Sequence, residues 1–151
     1  MQVKQDSVVL EYFSANNLRV IKFDNYTATI MKSGLYVNIT GLKSVYHMLR
    51  SLKLLSEITN VALSDIHYKI DSISALFVAK PGLRSQLQLL TKHNFKIEVK
   101  VRFTGVTVRH SYLQKAVCIY FQSGKCVLVG CKTFDHVKKC CNFMTVFLNT
   151  L

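Results

Sequence analysis

A chain of 151 residues that is 50% apolar and 19% charged, with a mean hydropathy of +0.22, is too apolar to be disordered and can fill one buried core. One Pro and six Gly exclude collagen-like and linker-rich architectures, and no apolar run approaches the roughly 18 to 20 residues of a membrane span. Twenty Lys and Arg against eight Asp and Glu leave a net charge of +12. Most of it lies in residues 68–151, where 13 basic side chains face 3 acidic ones. Such a chain favours polyanions, nucleic acid above all. The opening MQVKQDSVV has no apolar stretch behind its charges, so the expectation is a soluble intracellular domain and not a secreted one.

In chain order, residues 26–32 form a β-rich run ending at Ser33-Gly34, and residues 35–40 return from it, which predicts a hairpin. The period then becomes helical, with Val45, Met48, Leu52 and Leu55 on one stripe and Ser44 placed to cap it. Residues 68–80 are again β-rich and end at Pro81-Gly82, after which Leu83, Leu87 and Leu90 fall at helical spacing. Residues 96–103 alternate, with Ile97, Val99, Val101 and Phe103 on one face and Lys96, Glu98, Lys100 and Arg102 on the other, which predicts a single half-buried strand. A second hairpin spans 116–122 and 125–129 around Ser123-Gly124. A second helix follows, with Thr133 as its cap and Phe134, Val137, Cys141, Met144 and Leu148 as its apolar stripe.

The chain repeats itself. A shift of 90 carries Phe13 onto Phe103, Arg19 onto Arg109, Met31 onto Phe121 and Ser33-Gly34 onto Ser123-Gly124. After the turn the shift is 89, carrying Gly41 onto Gly130, Lys43 onto Lys132 and His47 onto His136. On this offset Leu35 stands where the second copy has Lys125. The second copy reads as strand, helix, several strands, helix. The first lacks room for the opening strand and helix.

Residues 118–121 and 126–129 are apolar at consecutive positions, so both faces of those strands are apolar, whereas helices can cover only one face of an antiparallel sheet. The other face is expected to meet a partner or a ligand. All five Cys lie between Cys118 and Cys141. Without a paired C-x2-C knuckle, Cys126, Cys131, His136, Cys140 and Cys141 read as core packing, and neither a metal nor a cofactor is expected. No carboxylate pair, nucleophile elbow or phosphate-cradling loop appears, so no enzyme is expected. His47 and His136, at equivalent helix positions, read as structural.

Phe121-Gln122-Ser123-Gly124-Lys125, then Val127 and Val129-Gly130-Cys131-Lys132, resembles the F-x-S-G-K-x-V-x-T-G-A-K hairpin of the TATA-binding protein family. Phe103-Thr104-Gly105-Val106-Thr107-Val108-Arg109 is similar to that family's F-P-G-L-I-Y-R segment, and Tyr68-Lys69-Ile70-Asp71-Ser72 with Pro81 to its F-K-I-Q-N strand and following proline. The resemblance covers residues 68–151 well and 13–55 more weakly. It implies an α+β saddle of two pseudo-repeats, each a curved antiparallel sheet with helices on its convex face: a truncated first repeat over 1–60 and a complete second over 61–151. It further implies a DNA-binding transcription initiation factor that bends promoter DNA through the minor groove and recruits general transcription factors or RNA polymerase subunits. Without the DNA function, the same fold would be a protein-interaction module. An RNA-binding module is a third class, but no aromatic RNA-stacking run is present.

Carried over by position, Phe103, Phe121, Phe13 and Met31 would be the DNA wedges. Arg109, Lys125, Lys132, Arg19 and Lys43 would meet the phosphate backbone, and Ser72, Val127, Val129 and Thr40 would face the groove. Asp71-Ser72 replaces the family's Q-N, Val129 replaces its groove-reading Thr, and the first repeat is short. The expectation is a lopsided saddle from a fast-evolving, viral version, acting in the nucleus or at a viral transcription site. A homodimer that completes the short half is compatible with this pattern.

Overall fold

The computed structural model describes residues 8–13 by their backbone, and residues 19–23, 25–31 and 36–151 in full. The predicted Ser33-Gly34 turn lies outside the described residues. The chain divides into two compact units, Met1–His67 and Tyr68–Leu151.

In the first unit, strands β1 (Val8–Phe13), β2 (Arg19–Phe23), β3 (Thr27–Ile30) and β4 (Val37–Thr40) pair antiparallel in that order, followed by helix α1 (Val45–Thr59). Ser44 caps α1 by accepting a hydrogen bond from the His47 amide at 3.1 Å, and Asn60 ends it in the left-handed conformation at φ 57°. Ile21, Phe23, Tyr26 and Ala28 bury against Leu55 of α1.

The second unit runs β5 (Ile73–Val78), a 3₁₀ helix (Arg84–His93), β6 (Lys96–Val99), β7 (Val106–Arg109), β8 (Val117–Tyr120), β9 (Lys125–Cys131) and helix α2 (Phe134–Asn149). Its sheet order is β5-β9-β8-β7-β6, so the first strand of the unit pairs with the last. Leu83 at the head of the 3₁₀ helix, Leu87 and Leu90 within it, and Cys140, Met144 and Leu148 from α2 cover one face of this sheet, meeting Val106, Val108, Cys118, Tyr120, Cys126 and Leu128. Each fully buried Leu contributes on the order of 1.5 to 3 kcal/mol. Phe134, predicted at the head of the α2 stripe, is exposed, as is Val45 of α1.

Strand pairing establishes the repeat and corrects its register. Ala28 pairs with Ile39, and Cys118 with Leu128, so β3 maps onto β8 by 90 and β4 onto β9 by 89. Gly41 and Gly130, at φ 90° and 94°, turn the chain against Asn25-Tyr26 and Lys115-Ala116, where an added Cβ would lie 3.1 Å from a carbonyl oxygen in both copies. In β2, however, Ile21 opposite Ala28 answers to Val108 opposite Cys118, a shift of 87. Tyr12 opposite Val20 likewise answers to Glu98 opposite Thr107, a shift of 86. The extra residues sit in the β7–β8 connection, which holds a second 3₁₀ turn at Ser111–Leu113, and in the β6–β7 turn. Lys22, not Arg19, is therefore the counterpart of Arg109, and Phe13 answers to Val99, not to Phe103. Tyr36, not Leu35, takes the position of Lys125: the Met31 amide donates to Tyr36 as the Phe121 amide donates to Lys125, each at 2.9 Å. Among the described residues the first unit has no counterpart of β5 or of the 3₁₀ helix after it.

The single strand predicted over 96–103 ends at Val99. β7 begins opposite it at Val106, so the chain reverses over 100–105, with the Phe103 amide donating to the Lys100 carbonyl at 3.2 Å and Val101 fully exposed. Tyr120 fastens the opposite side of the unit: its buried hydroxyl donates to the Lys80 carbonyl at 2.7 Å and accepts from the Leu83 amide at 3.0 Å. Tyr120→Phe leaves that amide unpaired and is expected to cost about 1 to 3 kcal/mol in urea unfolding of the full chain, with secondary structure unchanged by circular dichroism.

Candidate nucleic-acid interface

Strand alternation decides what the second sheet leaves uncovered. Leu76, Val127, Ile119, Thr107 and Glu98 pair in one row across β5, β9, β8, β7 and β6, on the face away from α2 and the 3₁₀ helix. Val117 pairs with Val129 beside that row, and Val78 with Lys125. Val78 is 74% exposed, and Leu76 is exposed as well. A shallow hollow on this face is lined by Lys100, Phe103, Thr107, Arg109, Val117, Ile119 and Val129. Apolar side chains in the middle with cations at the margin suit a surface that is buried only when a polyanionic partner arrives.

Phe103 and Phe121 stand together on this unit, ring centroids 6.0 Å apart and edge-to-face at 72°. Neither belongs to the core beneath the helices; Phe103 is 40% exposed and Phe121 is half-buried. Backbone contacts hold both. Arg84 Nη1 donates to the Thr104 carbonyl at 2.5 Å, steadying the turn that carries Phe103. The Gly82 amide donates to the Gln122 carbonyl and the Ala79 amide to that of Gly124, steadying the turn after Phe121. Gly105 makes room for the Phe103 ring: a Cβ there would stand 2.7 Å from Phe103 Cε1 and 2.5 Å from Ile119 Cγ2.

The margin is cationic but partly engaged. Arg109 lies 3.9 Å and Lys96 3.7 Å from Glu98, leaving two positive groups around one negative group. Lys132 donates to the Asp71 carbonyl, and Asp71 also pairs with Lys69 at 3.3 Å. Such exposed pairs contribute less than about 1 kcal/mol, so a phosphate can replace them. Lys125 and Lys43 are exposed.

In the first unit, the sheet face away from α1 carries Val20, Lys22, Thr27, Thr29, Asn38 and Thr40. Met31 is 39% exposed. Arg19 alternates with Ile21 onto the side of α1 and not onto this face. Ser72 is exposed one residue before β5, where the strand's own polar position on the open face is Ser74. The side chain of Phe13 lies outside the described residues.

A family profile described as "Transcription factor TFIID (or TATA-binding protein, TBP)" matches residues 67–151. The chain belongs to the TATA-binding protein family. Among solved structures it is similar to Methanococcus jannaschii TBP at 22% identity and a TM-score of 0.69, covering 89% of this chain and 78% of that one. Comparison with curated proteins gives no match. The α+β fold is thus a TATA-binding-protein fold, and the family is one of non-enzymatic, DNA-binding transcription factors.

Within this family member, sequence reasoning missed Asn38, Lys22 and Ser74. Asn38 and Lys22 were legible only through the β2–β3–β4 register, since Asn38 interrupts an apolar run and Lys22 was hidden by the wrong offset. The structure also gathers donors that the sequence left in the core: the ligand atoms of Cys131, His136 and Cys140 lie within 4.8 Å of one another. All five Cys are free thiols. Burial and the neighbouring Cys131 push the Cys140 thiol up to about 12, and burial raises Cys131 despite its contact with Cys140. Cys118 is raised by its hydrogen bond with Cys126 and by burial.

Gly105→Ala is expected to displace the Phe103 ring and to strain β8 locally, because the added Cβ would meet both the Phe103 ring and the β-branched Cγ2 methyl of Ile119. Nuclear Overhauser contacts between the Phe103 and Phe121 rings should weaken or vanish, with amide shifts of α2 unchanged.

Proposed function

We propose that this chain is a transcription initiation factor that binds the minor groove of promoter DNA, bends the duplex, and recruits transcription machinery in the nucleus or at a viral transcription site. The observation that carries the reading is the half-exposed Phe103–Phe121 pair at the margin of an uncovered apolar sheet, with Arg109, Lys100 and Lys125 nearby. Inserting apolar wedges unstacks base steps at a few kcal/mol each, and the larger contact surface of the bent duplex offsets it. Val117, Ile119, Val127 and Val129 would meet sugar and base edges without hydrogen bonds. Thr27, Thr29, Asn38 and Thr40 would offer the first unit's hydroxyls and amide to the A N3 and T O2 acceptors. Met31 would be the first unit's wedge, softer than Phe. Phosphate contacts from Lys125, Lys132, Lys43, Arg109 and Lys22 supply salt-dependent affinity, while groove shape and deformability supply most of the specificity.

The test is binding and bending of AT-rich duplexes by fluorescence transfer between end labels across a salt series. Phe103→Ala with Phe121→Ala should straighten the bound duplex and lower affinity by roughly 30-fold, about 2 kcal/mol, with the salt slope unchanged. Lys125→Ala should weaken all duplexes alike and reduce the slope by about 1. Unchanged bending in the double Phe variant would favour the protein-interaction reading, in which Glu98 on the open face is a contact for a basic partner. Asn38→Ala should narrow the preference for AT over GC duplexes while sparing the salt slope.

A further inference from the structure

We propose that Cys131, His136 and Cys140 form a zinc site that clamps the first turns of α2 to the end of β9. The three side chains come from two elements. Cys131 is the last residue of β9, directly after the left-handed turn at Gly130, while His136 and Cys140 are one helical turn apart on α2. Their ligand atoms already lie within 4.8 Å of one another. A tetrahedral zinc bound at about 2.3 Å to sulfur and about 2.1 Å to nitrogen needs donors about 3.5 to 3.8 Å apart, so closure takes rotamer adjustments and no backbone rearrangement.

Two further observations point to a ligand. His136 Nε2 is shut off from solvent and has no hydrogen-bond partner among the described residues, an orphaned acceptor or donor that a metal bond would satisfy. The first repeat also supplies an internal comparison. By the shift of 89, Leu42, His47 and Ser51 stand where Cys131, His136 and Cys140 do, with His47 on the same N-capping geometry. Ser51 is buried and satisfies itself on the Met48 carbonyl at 2.7 Å. The fold therefore keeps the histidine position without requiring cysteine at either neighbour, and only the second repeat assembles a donor set. Two thiolates and an imidazole select a borderline-soft divalent ion of the zinc class over magnesium or calcium, and two thiolates balance its charge. Binding releases the two thiol protons to solvent, with no change of oxidation state. Cys141 lies outside the set.

The test is cobalt(II) titration of the full chain in a phosphine reductant, with metal content measured after dialysis. The expected result is one equivalent of cobalt with thiolate charge-transfer and tetrahedral d–d absorption, displaced by one equivalent of zinc, and a rise in Tm when zinc is bound. Cys140→Ser, which installs the first repeat's residue, and Cys131→Ala should each abolish the tetrahedral spectrum, whereas Cys141→Ser should retain it. Wild-type protein that takes up less than a tenth of an equivalent of either metal would overturn the proposal without recourse to any variant. So would a tetrahedral spectrum that survives in folded Cys131→Ala/Cys140→Ser, or one lost only in Cys141→Ser.

Discussion

A sheet with two apolar faces and one layer of helices sets the terms for the second unit. Cys118, Tyr120, Cys126 and Leu128 are sealed beneath α2 and the 3₁₀ helix, while Val117, Ile119, Val127 and Val129 alternate with them toward the other side. At roughly 25 cal/mol per Å², apolar area left in water is a standing cost that a partner surface can remove. The proposed partner, the duplex minor groove, is long, narrow and floored with sugar and base edges, and its phosphates would answer a chain of net charge +12. In the proposed function the two phenylalanines would turn that surface from a passive lining into one able to open a base step.

The two repeats solve the same packing problem with different polarity. Thr27, Thr29, Asn38 and Thr40 correspond by register to Val117, Ile119, Val127 and Val129. Each unit keeps its buried side apolar, because the helix above demands it, and the divergence falls on the open side. Buried positions differ as well: Leu42 before α1 and the buried Ser51 on it answer to the buried Cys131 at the end of β9 and Cys140 on α2.

Much of this was legible in the residues. The Ser44 and Thr133 caps, both helices, the hairpin after Phe121 and the two-faced strands followed from period and side-chain chemistry, and the Phe121–Lys132 series carried the family resemblance. Strand ends were not legible. Residues 96–103 alternate without a break, but a strand persists only where it has a partner, and β7 supplies one only as far as Val99. The site equivalences of Arg19 and Phe13 failed for a related reason. A constant offset assumes equal connections, whereas the β7–β8 loop holds a 3₁₀ turn that shifts β2 against β7 by three residues. Cys131, His136 and Cys140 read as core packing in the sequence, because the approach of a strand end to one face of a helix is visible only in three dimensions.

The central claim is that uncovered aromatic side chains enter the base stack. An AT-rich duplex carrying 2-aminopurine at successive positions reports this directly, because the fluorophore is quenched by stacking and brightens when its step is opened. The account predicts that saturating wild-type protein brightens the probe at a localised step within the bound segment while positions outside it stay dark. Saturated binding with no brightening at any position would contradict it.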